Sequence, residues 1–221
     1  MNFELELLTT AILLSSVMYI KAEYNGAQRR VYLLKPLTML LIVVMGLRLL
    51  PEELGWYHFA LLLGLLFSIG GYVALMCPSN KFLLGLVSFL TGHLFYISGL
   101  HSGIEWTSTR VVWGPLLFIG GGMFLVLRSG LGKMKAPVLV YILVILIMSG
   151  LARERYLQLE LPQTLFATCG AILFLISNAL LAWNRFRVKF KSTQFLILGT
   201  YYVAQWVLAM SLGQPNVYYL S

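Results

Sequence analysis

Several ionisable or hydroxyl-bearing side chains lie inside segments that are otherwise apolar, and His93 with Tyr96 is the pair best suited to chemistry. Residues three apart in a helix share a face, so the imidazole and the phenol point the same way. Polar groups at membrane depth are costly and usually face a protein interior or a wet cavity. We therefore expect the helix around His93 to form one wall of an internal pocket.

Other apolar segments carry polar residues at comparable depths. At about 1.5 Å per residue, Lys35, Tyr72 and Asn178 lie roughly 6–9 Å inside one end of their helices. Tyr201 lies deeper, at roughly 13–18 Å, and Gln205 follows one turn later on the same face. If these groups converge, they form a pocket in one half of the membrane. Its polar floor and apolar mouth would suit an amphiphile with one chain.

Each of these residues also has a purely structural explanation. Lys35 precedes Pro36 in the first turn of a helix, where a lysine can extend to the lipid headgroups. Buried tyrosines can pack while their hydroxyls bond a backbone carbonyl. Ser177 and Asn178 can join two helices, which is worth about 0.6 kcal/mol for each bond. His93 is the hardest to explain by packing, because a buried imidazole needs partners.

Composition predicts the helices that must position these residues. Of 221 residues, 59% are hydrophobic and 11% are charged, against about 25% charged in a soluble domain. A membrane span needs about 20 apolar residues. We predict an all-α membrane helix bundle, a single transmembrane domain over residues 1–221 without an internal repeat. Its eight predicted spans are 3–22, 31–50, 56–76, 81–100, 108–127, 136–153, 162–184 and 192–212.

The distribution of charge predicts the orientation of these spans. Twelve of the sixteen Lys and Arg residues fall in or at the edges of the first, third, fifth and seventh connections, with Lys35 counted at the far edge of the first. The positive-inside rule places those connections in the cytoplasm and both termini on the other side. We expect the plasma (inner) membrane of a bacterium, with the predicted pocket near its cytoplasmic face. The net charge of +8 then lies against anionic lipids, and we expect no nucleic-acid partner.

Well-known catalytic patterns do not occur in the sequence. It has no phosphate-binding glycine loop, no HExxH, no CxxC and no Gly-x-Ser-x-Gly. Its three histidines, His58, His93 and His101, are too scattered to indicate a metal site. We therefore expect neither a metal nor another cofactor. The expected partners are membrane lipids and a single-chain amphiphile, and the sequence leaves the oligomeric state open.

Four groups of residues follow one another along the chain: Lys35-Pro36-Leu37-Thr38, Phe82-Leu83-Leu84-Gly85 running into Gly92-His93-x-x-Tyr96, Ser177-Asn178-Ala179-Leu180-Leu181-Ala182, and Thr200-Tyr201-x-x-Ala204-Gln205. Their order, their spacing and the eight-span layout resemble the YhhN-like lysoplasmalogenase family over nearly the full length. The resemblance implies a hydrolase that cleaves the vinyl-ether bond of lysoplasmalogens, yielding an aldehyde and a glycerophospho-base.

The chain departs from that family at two positions. Family members usually carry an aspartate after glycine in the third span and after serine in the seventh, where this chain has Tyr72 and Asn178. The sequence contains no aspartate, and we expect its eight glutamates in or beside loops. Vinyl-ether hydrolysis needs an acid that protonates the alkenyl carbon, a task suited to a buried carboxyl group. Asparagine has no such proton, and tyrosine, with an ordinary pKa of about 10, is a poor acid.

Three hypotheses follow from the sequence. The first is a lysoplasmalogenase-type hydrolase, with candidate catalytic residues His93, Tyr72 and Asn178. Its candidate substrate-binding residues are Lys35, Thr38, Tyr96, Ser177, Tyr201 and Gln205. The second is a non-catalytic relative that binds lysolipids in the same pocket. The third is a small-molecule transporter, supported only by the polar residues at the membrane midplane.

Overall fold

Long helices account for nearly all of the computed structural model of the protein, which describes residues 3–76, 82–105, 110–188 and 192–213. Within these ranges there are eight α-helices, two short 3-10 turns and no β-strand. The helices are α1 (Phe3–Tyr24), α2 (Gln28–Arg48), α3 (Trp56–Met76), α4 (Phe82–His101), α5 (Arg110–Leu127), α6 (Lys135–Leu159), α7 (Pro162–Phe186) and α8 (Thr193–Met210).

Length and hydropathy confirm the predicted membrane helix bundle. Seven of the described helices are long and apolar enough to cross a membrane, and the apolar stretch described for the remaining one, α5, covers residues 112–127. Large apolar side chains cover their outward faces, including Phe3, Leu33 and Phe118, each at least 70% exposed. Such surfaces suit lipid rather than water. The protein is therefore an integral membrane protein.

Helix boundaries agree closely with the prediction at α3 and differ most at α6. The predicted span 56–76 is α3 itself, whereas α6 runs six residues beyond the predicted end at 153. It stops where Glu160 adopts a left-handed conformation, with φ of 51°. The expectation that all glutamates lie in or beside loops is wrong for Glu154, which is buried inside α6. Residues 81, 108 and 109 of the predicted spans lie outside the described ranges.

Six helices form a ring in the order α2, α3, α4, α6, α7 and α8, which closes back onto α2. Helix α1 lies outside the ring against α2 and α8, and α5 lies outside it against α6 and α7. Glycines allow the closest of these contacts, as expected for small residues between membrane helices. A Cβ added to Gly92 of α4 would lie 3.0 Å from the Gly64 carbonyl oxygen of α3.

A buried arginine joins α6 to the end of α4. Arg155 is fully buried, although the sequence suggested a loop position for it. Its guanidinium donates hydrogen bonds of 3.2 and 2.5 Å to the carbonyl oxygens of Leu100 and Ser102, and lies 4.4 Å from the centre of the Tyr57 ring. Carbonyl groups at a helix C-terminus lack partners within the helix. Arg155 donates hydrogen bonds to two such carbonyl groups. Because its side chain is paired in this way, Arg155 can be buried within α6, which continues past the predicted boundary.

Replacing Arg155 with Met should lower the melting temperature of the detergent-solubilised protein. Hydrogen bonds to charged groups contribute about 1.5–3 kcal/mol each, and the substitution removes two of them. Arg153→Met is the matched control, because Arg153 lies on the same helix over the ring of Tyr156. Equal melting temperatures for the wild type and the Arg155→Met variant would contradict the capping role of Arg155.

Candidate functional site

A cavity of about 290 Å³ opens at the end of the bundle where α1, α3 and α7 end and where α2, α4 and α8 begin. We call it the polar cavity. Charged and amide side chains near the ends of these helices line its rim: Glu23, Lys35, Asn184, Arg185 and Gln194. On the charge pattern above, this is the predicted cytoplasmic face.

Aromatic rings form the floor of the polar cavity. Tyr72, Phe89, Phe174 and Tyr201 line it from four different helices. The rings of Tyr72 and Tyr201 are stacked with their centroids 4.2 Å apart, and Phe174 meets Tyr201 edge-on at 5.4 Å. The prediction of a polar floor and an apolar mouth is therefore wrong. Most of the charged and amide side chains lie near the helix ends, and the rings close the interior.

Lys35 lies above this floor, with its ammonium nitrogen 4.4 Å from the centroid of the Tyr72 ring and 5.8 Å from that of Tyr19. Such cation–π contacts contribute about 0.5–2 kcal/mol, depending on exposure. Glu23 is half-buried on α1 and interacts electrostatically with Lys35. The lysine is therefore held inside the cavity mouth rather than extended to the lipid headgroups.

Asn178 forms part of the cavity wall, and both polar atoms of its amide make hydrogen bonds. The Tyr141 hydroxyl donates a 2.8 Å hydrogen bond to its Oδ1, and its Nδ2 donates one of 2.8 Å to the Phe174 carbonyl. The neighbouring Ser177 donates to the carbonyl of Ile197, which joins α7 to α8. The structure thus brings Asn178, Tyr72, Lys35, Ser177 and Tyr201 together around one cavity.

His93 lies one layer behind the floor. It is fully buried, and its ring meets Phe174 edge-on at 4.6 Å and Tyr141 at 5.5 Å. Its Nδ1 donates a 2.5 Å hydrogen bond to the Phe89 carbonyl, which leaves Nε2 without a hydrogen-bond partner. His93 therefore supports two residues of the site and has no direct access to the cavity.

The remaining predicted substrate-binding residues also lie away from the cavity lining. Tyr96 and Gln205 are fully buried, and the Tyr96 hydroxyl donates a 2.9 Å hydrogen bond to Gln205 Oε1 between α4 and α8. Thr38 is equally buried, and its hydroxyl contacts Ser15 of α1 at 2.7 Å. The structure places all three in contacts between helices.

Three residues of the site were not predicted from the sequence: Glu23, Arg185 and Tyr141. A signal existed for Arg185, which follows Asn178 by seven residues and therefore shares its helix face. Glu23 follows Tyr19 by one helical turn, so the same argument applies. Tyr141 offered no such signal, because its role depends on how α6 packs against α7.

Comparison with known proteins gives a family match and several relatives. The model of the YhhN family matches residues 31–212. The uncharacterized membrane protein YhhN of Escherichia coli O157:H7 is 24% identical over 206 residues, which cover 91% of this chain and 96% of the relative. Human lysoplasmalogenase TMEM86B is 30% identical over 144 residues, covering 65% of this chain and 59% of the human protein. Human lysoplasmalogenase TMEM86A is 29% identical over 150 residues, with coverages of 67% and 62%. No solved structure gives a significant match.

Proposed function

The chain belongs to the YhhN family, and on that premise we propose that it is a lysoplasmalogenase-type hydrolase of single-chain vinyl-ether phospholipids. Two human relatives carry the name lysoplasmalogenase. The observation that supports the proposal best is the convergence of Tyr72 and Asn178 on one cavity. These are the two positions at which the family resemblance leads us to expect carboxylates.

The charges at the rim suit a phospholipid headgroup. Lys35 and Arg185 both line the polar cavity, and Arg185 is exposed at its mouth. Guanidinium and ammonium groups bind phosphate oxygens through charge-assisted hydrogen bonds. A lipid whose phosphate lies between them would remain at the membrane surface while its ether linkage reaches Asn178.

Hydrolysis of a vinyl ether needs one proton donor and one water molecule. A proton from an acid adds to the alkenyl carbon that does not carry oxygen, and the remaining carbon becomes an oxocarbenium ion. Water adds to that ion and returns a proton to the base. The resulting hemiacetal then separates into an aldehyde and the glycerol hydroxyl. Glu23 is the one carboxyl group among the described residues that line the cavity, and we assign the proton transfer to it.

Other residues position the reacting groups. Asn178 Oδ1 accepts a hydrogen bond from Tyr141 and keeps a second lone pair that can accept one from water. Tyr72 and Tyr201 are stacked on each other, and the pair closes the cavity beneath the alkenyl group. His93 holds this arrangement from behind, through Phe174 and Tyr141.

Purified protein should release a long-chain aldehyde from 1-alkenyl lysophosphatidylethanolamine, and Glu23→Gln should reduce that rate by about 10²-fold or more. General acid catalysis typically contributes about 10²–10⁴-fold, and the amide has no proton to supply. Aldehyde release can be followed with a coupled dehydrogenase. The matched control is Glu6→Gln, which changes an exposed glutamate on the same helix. No release above a protein-free blank would contradict the hydrolase, and full activity of Glu23→Gln would contradict the role of Glu23.

A second candidate function is lysolipid binding without catalysis. The side chains at positions 72 and 178 favour this function, because neither the phenol of Tyr72 nor the amide of Asn178 serves as an acid near neutral pH. The two functions make different predictions for one experiment. A binding protein retains lysolipid affinity but yields no aldehyde.

The double variant Tyr72→Asp with Asn178→Asp should raise aldehyde release by about 10²-fold or more, because it introduces two carboxyl groups into the cavity. Lys35 is well placed to balance the new charge at position 72, and Tyr141 can still donate to an aspartate at position 178. Tyr72→Asn is the control for the lost aromatic ring, because it adds a polar side chain without a carboxyl group. Equal rates for this control and the double variant would contradict a catalytic contribution of carboxyl groups at these positions.

Arg185→Gln should weaken binding of lysophosphatidylethanolamine by about tenfold or more, because one charge-assisted hydrogen bond contributes about 1.5–3 kcal/mol. Binding of an uncharged 1-alkyl glycerol should not change. Arg187→Gln is the matched control, since Arg187 is exposed at the end of the same helix and outside the cavity lining. Binding can be measured by microscale thermophoresis in detergent. A similar loss for both lipids would contradict phosphate recognition by Arg185.

A further inference from the structure

We propose that the hydrocarbon chain of the bound lysolipid lies in an apolar groove between α5, α6 and α7, while its headgroup occupies the polar cavity. This inference rests on the proposed function for the identity of the lipid. It adds the place where the chain binds and the residues that limit its length.

The groove has a volume of about 550 Å³ and an almost wholly apolar lining. Ile142 and Ile145 of α6, Ile172 and Ile176 of α7, and Met123 of α5 are typical of it. A dry apolar lining of this kind favours a hydrocarbon occupant. The groove exists because α5 packs against α6 and α7 from outside the ring.

The groove and the polar cavity share part of their walls. Phe82, Leu181 and Asn178 line both of them. The two spaces are therefore adjacent, and we place the polar end of the lipid and its chain on opposite sides of Asn178. The bond that joins the chain to the glycerol then lies beside the Asn178 amide, where the proposed hydrolysis takes place.

The length of the groove suits a hydrocarbon chain. Along α7 it extends from Phe186 to Ile172, which is about 21 Å at 1.5 Å per residue. Asn178 lies six residues from Ile172, so the part of the groove between them is about 9 Å long.

The sides of the groove are accessible from the bilayer. Phe118 of α5 is 83% exposed, and Ile172 and Ile176 of α7 are each 44% exposed. A lipid chain can therefore enter laterally without leaving a hydrocarbon environment. The chain would not have to pass through water, and only the headgroup would have to bind at the rim.

Gly122 of α5 is a position at which a side chain would narrow the groove. It lines the groove, and no neighbouring atom lies within 4 Å of a Cβ added there. A leucine at 122 would therefore have room for its Cβ and would occupy space that the chain needs. The adjacent Gly121 has equally open surroundings but does not line the groove. The two glycines thus provide a matched pair on one helix.

The test compares Ile172→Trp with Gly121→Leu, using 1-alkyl lysophosphatidylethanolamines from butyl to octadecyl as non-hydrolysable probes. Ile172→Trp fills the end of the groove that lies farthest from the rim, so it should weaken binding of the octadecyl lipid by about tenfold or more, which corresponds to about two excluded methylene groups. Binding of the butyl lipid should be unchanged, and Gly121→Leu should bind both lipids as the wild type does. Gly122→Leu, which narrows the groove from α5, should also weaken binding of the octadecyl lipid, and it serves as the second groove variant if Ile172→Trp does not fold.

A loss that is equal for all chain lengths, or no loss in either groove variant, would overturn the proposal. Because the probes have no vinyl ether, the result does not depend on hydrolysis. A selective loss in a protein that releases no aldehyde would support the groove and contradict the hydrolase. Aldehyde release with normal binding of the octadecyl lipid by both groove variants would contradict the groove alone.

Discussion

The hydrocarbon core of a membrane contains no water to bond polar side chains, so each of them must find a partner within the protein. This constraint organises the bundle. Arg155 binds the end of α4, Ser177 bonds the backbone of α8, and Tyr96 donates to Gln205. Such bonds fix how the ring helices are rotated about their axes. The rotation in turn determines which side chains face the polar cavity and which face lipid.

The helix packing divides into two similar halves. Helix α1 lies outside α2, as α5 lies outside α6, and α3 packs closely against α4, as α7 does against α8. Tyr72 and Asn178 each stand sixteen residues after the first residue of their helices, α3 and α7. They occupy corresponding positions in the two halves, although the sequence has no evident repeat. Both positions line the polar cavity, so the similarity of the two halves brings them to one site.

The replacement of carboxylates at these positions has an electrostatic consequence. An aspartate at position 72 would neutralise the nearby ammonium group of Lys35. In this chain, the electron-rich face of Tyr72 stabilises that cation instead, at a centroid distance of 4.4 Å. The lysine therefore keeps a partner inside the membrane without a carboxylate at position 72. Glu23, which comes from a helix outside the ring, is the one carboxyl group among the described residues that line the cavity, where two cations, Lys35 and Arg185, also lie.

The sequence by itself determined the class of protein, the number of long helices and how far most of the predicted polar residues lie from the ends of their helices. Apolar length and the distance from a helix end are properties of the chain alone, because a helix rises by a constant 1.5 Å per residue. Tertiary structure decided the rest. Thr38 and Tyr96 lie at suitable depths but face neighbouring helices, whereas Arg185 faces the cavity. The direction of a side chain around its helix axis depends on which helices pack beside it, and those contacts come from distant parts of the sequence.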